Sequence, residues 1–336
     1  MMETFASHIE ARLALRRRAA EAQPRSADAL FLLADALADA GAYDEYAEVY
    51  RQAFLLAPRL QLMGGDRSEL LRADGSERDR IGEAMRMRDR ARALIQRGLA
   101  FTPVIAGLAI AESVLGNTGE VARLIDCGAF LRSTALTAPP WFEGEDFHAV
   151  LAAEIRRGLK QHRLPWGSIK AAARNSRVME SELPACRAIT GAIRTEVERY
   201  IAQIPTDLDH PFVSARPAAF VMTGWSVLID GESRHIAHTH PRAWLSGVYY
   251  VVRPAASRAP GTHNGWLRVG APTSASAPPG WEERWIEPEP GTLVLMPGYF
   301  YHETTPTRSD EERLCIAFDV MPPDLAPDAR ILTGPR

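Results

Sequence analysis

The period of the hydrophobic pattern changes once along this chain, and that change limits the folds open to it. Up to about Leu131 apolar residues recur at three- and four-residue intervals, the helical period. From Ala218 onward they come in short runs rich in β-branched and aromatic residues: AAFVMTGWSVLI, WLSGVYYVV, GWLRV, TLVLMP and RLCIAFDVM. Helices first and many strands afterwards point to α+β, with a jelly-roll or sandwich core. At 336 residues the chain is about twice a usual domain, so two domains are expected. The first, 1–131, is all-α; the second, 138–336, is strand-rich, with its core at about 215–322 and flanking helices over Phe147–Arg163 and Leu183–Ile204. APPW at Ala138–Trp141 reads as a linker, and the APTSASAPPG stretch within Asn264–Gly280 as a loop.

In the first domain Leu30, Leu33, Ala34 and Leu37 share one helix face, which Gly41 breaks. Tyr43, Tyr46, Ala47, Tyr50 and Ala53 line a second helix, ended by Pro58. Two short antiparallel helices joined by a glycine turn form a hairpin, and such hairpins stack as solenoids. The spacing resembles the tetratricopeptide repeat, whose small, large and glycine sites fall here on Leu30, Leu33, Ala34, Leu37, Gly41, Tyr50, Ala53 and Pro58. Tyr46 departs from it, since that repeat prefers Ala there. A partial second register (Ala91, Ile95, Gly98) ends at Pro103, and a third holds Leu108, Ala111, Leu115 and Gly119. The polar insert Gly64–Arg80 reads as a loop that lengthens the interval between registers. A generic helical bundle is the alternative. The resemblance implies a concave surface that holds a protein or peptide segment.

Charge and cysteine usage exclude several classes. Lys plus Arg is 39 and Asp plus Glu is 42, a net −3, which offers no electrostatic footprint for nucleic acid. The longest apolar stretch, Val104–Leu115, contains Glu112 and is too short for a membrane span of ~20 residues. The charged, interrupted N-terminal pattern lacks the apolar core of a signal peptide, so a cytoplasmic protein is expected. Cys127, Cys186 and Cys315 are far apart and form no C-x-x-C pair. They suit apolar filling better than a disulfide frame or a thiolate zinc site.

Three of the nine histidines, His235, His238 and His240, lie within six residues. Residues i and i+2 on a strand project to one face, so His238 and His240 could reach a single metal ion. His235, three residues earlier, would face the other way and sit at a rim. His302 is the candidate third ligand, following the Pro-Gly break in TLVLMPGYFYHETTP. Eleven residues later comes Arg313, whose planar fork can hold a carboxylate bidentately and stays charged when buried. Trp225 and Trp244 read as packing. His8, His148, His162, His210 and His263 read as surface residues, and Arg86–Arg97 as a solvated helix face.

The order of Trp225, Gly231, His238–Pro241, Leu245–Tyr250, Gly291–His302 and Arg313–Phe318 resembles the Fe(II)- and 2-oxoglutarate-dependent oxygenases with a double-stranded β-helix core, in their H-x-H-P subgroup. The resemblance is tight over about 100 residues and looser back to about Ala138. It implies Fe(II), 2-oxoglutarate and O2, with His238 as the first ligand and His302 as the distal one. His240 fills the slot usually held by Asp or Glu, either as third ligand or as a residue that contacts the ligands or the substrate from outside the metal's own shell. Three neutral imidazoles would leave the Fe(II) site at +2 where a carboxylate would bring it to +1. Arg313 would bind the far carboxylate of 2-oxoglutarate. Tyr250 would reach that carboxylate too, or serve as a core aromatic. Cys315 stands where many relatives have Ser, removing one hydrogen bond worth ~1 kcal/mol.

The activity implied is hydroxylation of an unactivated C–H bond with release of succinate and CO2. With a repeat domain attached, a protein or peptide side chain is the expected substrate, with a free small molecule as the alternative. Two alternatives are a three-His iron dioxygenase that does not use 2-oxoglutarate, against which Arg313 argues, and an inactive repeat-plus-jelly-roll binding scaffold. A metallo-β-lactamase-type zinc site would require H-x-H-x-D-H, whereas this chain runs His-Thr-His-Pro-Arg.

Overall fold

A computed structural model describes residues 2–58, 71, 77–137, 146–162, 172–175, 177–206, 209–229, 233–272 and 277–326. The expected linker Ala138–Trp141, most of the insert Gly64–Arg80, Gly231 and the centre of the 264–280 loop lie outside the described residues. The chain divides into two compact units, Met1–Val121 with His210–Ala215, and Ala122–Asp209 with Arg216–Arg336.

The first unit is helical: α1 (Met2–Ala22), α2 (Ala27–Asp39), α3 (Tyr43–Leu56), α4 (Glu77–Gln96) and α5 (Thr102–Val114). Ser26 starts α2, its hydroxyl accepting from the Ala29 N–H at 3.2 Å. Three helices stop by one device. Gly41, Gly98 and Gly116 take positive φ (75°, 77° and 76°). In each case the next residue donates its N–H five residues back, Ala42 to Leu37, Leu99 to Leu94 and Asn117 to Glu112, at 2.9–3.0 Å. The third turn thus falls on Gly116 instead of the expected Gly119, which lies inside α6 (Thr118–Leu124). In LGNTG the first glycine already closes the helix, so the second needs no special backbone. Leu30, Leu33, Ala34 and Leu37 are buried on α2, and Tyr46, Tyr50 and Phe54 on α3. The Phe54 ring stacks on Phe101 at 4.3 Å. His210 is buried, contrary to its reading as a surface residue. Its Nδ1 accepts the Phe212 N–H at 3.1 Å and caps the one-turn helix Pro211–Ser214.

The second unit adds α7 (Cys127–Phe130), β1 (Arg132–Ala135), α8 (Phe147–Arg157), β2 (Lys160–His162), β3 (Ala172–Asn175) and α9 (Pro184–Gln203). The helix expected to run to Arg163 ends at Gly158, and the chain turns into β2. Then come β4 (Val221–Ile229), β5 (Leu245–Val252), β6 (Leu267–Gly270), β7 (Arg284–Ile286), β8 (Thr292–Pro297), β9 (Tyr301–Thr304) and β10 (Arg313–Met321). They form two antiparallel sheets, ordered β1-β8-β5-β10-β4-β3-β2 and β7-β6-β9. Of the strands from β4 to β10, β4, β5, β8 and β10 lie in the large sheet and β6, β7 and β9 in the small one. The fold is therefore mixed, with N-terminal helices and C-terminal antiparallel sheets, consistent with a jelly roll. All three cysteines are free and buried, and among the described residues no helix is long and apolar enough to cross a membrane.

Candidate metal centre

His238 and His302 face each other across an isolated antiparallel bridge, each backbone N–H donating to the other's carbonyl at 3.1 and 3.0 Å. His240 donates its own N–H to the Gly298 carbonyl at 2.9 Å, just past the Pro-Gly break that ends β8. These bonds gather residues far apart in sequence into one triad. Ring centroids lie 4.3 Å apart for His238–His302, 4.9 Å for His240–His302 and 5.3 Å for His238–His240. One nitrogen from each ring falls within 4.8 Å of the other two.

Each imidazole is oriented from behind. His238 Nδ1 meets the Ile236 carbonyl at 2.7 Å and His302 Nδ1 the Phe300 carbonyl at 3.1 Å. His240 Nδ1 meets the Asp319 carboxylate. A carbonyl or carboxylate only accepts, so Nδ1 carries the proton in all three and the Nε2 lone pairs remain for a ligand. Burial, reinforced by His240, pulls the His238 pKa down to about 4. Burial, then His238 and His240, holds His302 well below the ordinary histidine value. Both rings are thus neutral at pH 7, the form that binds metal.

On β10 the even alternation puts Arg313, Cys315, Ala317 and Asp319 on one face. Residues directly opposite on neighbouring antiparallel strands project from the same face. Ile229, Val227 and Trp225 on β4, and Tyr250, Val248 and Ser246 on β5, therefore share it. Asp319 reaches His240 from this face, so the triad lies over it. Arg313 is buried and donates to the Gly265 carbonyl at 2.8 Å. Its Nε is buried without a partner. Cys315 and Ala317 leave a floor of small side chains between the guanidinium and Asp319. Tyr250 is buried opposite Cys315, its pKa raised by burial and eased back by the Arg313 charge. The Cys315 thiol contacts the Val227 carbonyl at 3.8 Å, and burial raises its pKa.

All five residues nominated from the sequence are therefore placed: three histidines together, and Arg313 and Tyr250 on the face beneath them. His235 sits beside the triad, its ring 5.9 Å from His238. Trp225, read as packing, packs on the site itself, its ring parallel to His240 at 5.9 Å. Two other histidines read as surface residues have aromatic partners. His148 bonds the Tyr249 hydroxyl at 2.9 Å, and His263 stacks on Trp285 at 4.2 Å. Asp319 and Ser246 were not marked in advance. Only the even spacing from Arg313 hinted that Asp319 shares its face.

Residues 223–319 match the model of the family described as "Putative 2OG-Fe(II) oxygenase". The family's reagents are Fe(II), 2-oxoglutarate and O2. Among solved structures, a Pseudomonas putida prolyl-4-hydroxylase aligns at 18% identity and TM-score 0.40, over 60% of this chain and 98% of its own. A Trichoplax adhaerens prolyl hydroxylase, solved with a hypoxia inducible factor peptide fragment, aligns at 14% identity and TM-score 0.40, over 66% and 96%. A non-heme α-ketoglutarate-dependent epimerase from nogalamycin biosynthesis aligns at 11% and 0.41, over 62% and 83%. No curated protein matches the chain. The donor set fits the family's metal: imidazole nitrogens suit iron among the first-row metals. The orphaned Nε of buried Arg313 fits an incoming carboxylate.

Proposed function

We propose that this chain is an Fe(II)- and 2-oxoglutarate-dependent dioxygenase that hydroxylates an unactivated C–H bond on a protein or peptide side chain, releasing succinate and CO2. One observation carries the reading. Three imidazoles, each held from behind at Nδ1, bring one ring nitrogen apiece together over the strand face that holds a buried, incompletely bonded arginine.

In this reading His238, His240 and His302 hold the metal. Arg313 takes the far carboxylate of 2-oxoglutarate, with Tyr250 beside it. Bound Fe(II), 2-oxoglutarate and O2 supply the oxidising chemistry, which decarboxylates the cosubstrate and inserts one oxygen atom into the substrate. The chain's share is placement. Carbonyls and a carboxylate behind the rings fix the tautomers. Val227 and Val248 line the floor with apolar surface that excludes water. A buried guanidinium without a full set of partners is costly, and a dicarboxylate supplies the missing acceptors. The helical unit, read as a tetratricopeptide-like array, would recognise the substrate chain.

The test is succinate formation by purified protein loaded anaerobically with Fe(II) and then given 2-oxoglutarate and air. Mass spectrometry of treated lysate proteins should then find a gain of one oxygen atom. His238→Ala and His302→Ala should each abolish iron binding. Stoichiometric iron in either variant, or no succinate from the iron-loaded protein, defeats the proposal.

A further inference from the structure

We propose that Asp319 is a positioning residue that supplies, through His240, the negative charge and ring orientation that an all-histidine centre lacks. The inference rests on the metal-centre reading above. Of the three imidazoles, His238 and His302 lean on neutral backbone carbonyls, whereas His240 leans on a carboxylate. His240 is also the residue in the slot where the family usually places Asp or Glu. The charge absent from the ligand set thus reappears one hydrogen bond behind it. An N–H···O⁻ bond is stronger than one to a carbonyl, and it makes the far nitrogen a better donor.

The carboxylate is itself held. Asp319 lies in the middle of the large sheet, opposite Ser246 on β5 and Thr223 on β4. The fully buried Ser246 donates its hydroxyl to Asp319 Oδ1 at 3.0 Å, the same oxygen that meets His240. Among the described residues no Lys or Arg forms an ion pair with Asp319, whose side chain is only 15% exposed. The contacts of this largely buried carboxylate are the Ser246 hydroxyl and the His240 ring, with no Lys or Arg among them. A divalent ion on the other side of that imidazole provides positive charge. Trp225, parallel to His240 at 5.9 Å, fixes the remaining freedom of the ring.

The experiment uses the full-length protein stripped of metal and titrated with Co(II) alone under anaerobic calorimetry. Asp319→Asn keeps the shape and an acceptor for Nδ1–H but removes the charge, and should weaken Co(II) binding about tenfold. Asp319→Ala should weaken it by roughly ten- to a hundredfold, and Ser246→Ala less than either. The Co(II)-loaded protein should show three solvent-exchangeable, paramagnetically shifted Nδ1–H proton signals. All three should persist in Asp319→Asn, whereas one should broaden away in Asp319→Ala. If Asp319→Ala does not fold, Asp319→Asn decides by its affinity. Wild-type affinity in both Asp319 variants, with His302→Ala still abolishing binding, overturns this inference and leaves the metal centre standing. Failure of the wild-type protein to bind Co(II) removes both.

Discussion

At the scale of single residues the sharpest test falls on Arg313. It is not a metal ligand, so its loss should separate cosubstrate binding from metal binding. A charge-assisted hydrogen bond contributes about 1.5–3 kcal/mol, and tenfold in affinity corresponds to about 1.4 kcal/mol. Arg313→Ala should therefore raise the KM for 2-oxoglutarate by roughly ten- to a hundredfold, with Fe(II) binding nearly unchanged. Arg313→Lys keeps the charge but loses the fork, and should fall between Ala and wild type. The measurement is initial succinate rate against 2-oxoglutarate concentration, with thermal unfolding as a control because Arg313 also holds the Gly265 carbonyl. Identical curves would remove Arg313 from the site and favour a three-His dioxygenase without this cosubstrate. The histidines and Arg313 were legible because motif order speaks in one dimension, although His238 lies at an isolated bridge and His240 outside any strand. Asp319 was not. Its bond to His240 spans 79 residues and depends on the register between β10 and β5, which no local pattern encodes.

At the scale of elements, the strands that were legible are the long ones with dense β-branched and aromatic content: β4, β5, β8 and β10, with the shorter GWLRV run giving β6. β1, β7 and β9 are three or four residues each, too short for alternation to show, although β9 carries His302. Their partners across the sheets define them, not their composition. The close fit of the large sheet shows in its glycines. Phe318 on β10 lies opposite Gly224 on β4 and Gly247 on β5, and is fully buried on the face away from the triad. A Cβ on Gly247 would stand 2.2 Å from the Phe318 ring, so an alanine there must push the ring aside. Gly247→Ala should cost about 1–3 kcal/mol of stability. Because Ala317 and Asp319 flank Phe318, it should also weaken metal binding. Gly119→Ala is the contrast: that residue lies in α6 with ordinary φ and nothing within 4 Å of the added methyl. It should leave stability unchanged or raise it by about 0.5–1 kcal/mol. Thermal unfolding of both variants checks the pair. Equal melting temperatures would mean that the sheet yields around Phe318 and that its packing does not hold the site face.

At the scale of the whole molecule, composition and the change of period made two units legible, but not where the second begins. The expected boundary put the catalytic unit at 138–336, whereas the compact second unit starts at Ala122. The reason lies in segments with little signal of their own. β1, Arg132–Ala135, pairs along β8 from Leu295 to Thr292 and forms the outer edge of the large sheet. The buried Tyr299 hydroxyl donates to the Leu124 carbonyl at 2.6 Å, and the buried Tyr200 hydroxyl to the Phe130 carbonyl at 2.7 Å. The Cys127 N–H donates to the Glu282 carboxylate at 2.8 Å. A chain beginning at Ala138 would lose all of these at once. It would expose the apolar TLVLMP strand as an edge, which invites aggregation. Each tyrosine hydroxyl left buried without an acceptor would cost about 1–3 kcal/mol. We therefore expect a chain beginning at Ala122 to be monodisperse, to unfold cooperatively, and to turn over 2-oxoglutarate without substrate. The chain beginning at Ala138 should aggregate or melt at a temperature lower by roughly 4–24 degrees, since losing two such bonds removes roughly 2–6 kcal/mol. Size-exclusion chromatography and thermal unfolding of the two chains decide the matter. Equal melting temperatures and equal turnover would show that the first strand and the helix before it are dispensable, and would return the boundary to Ala138.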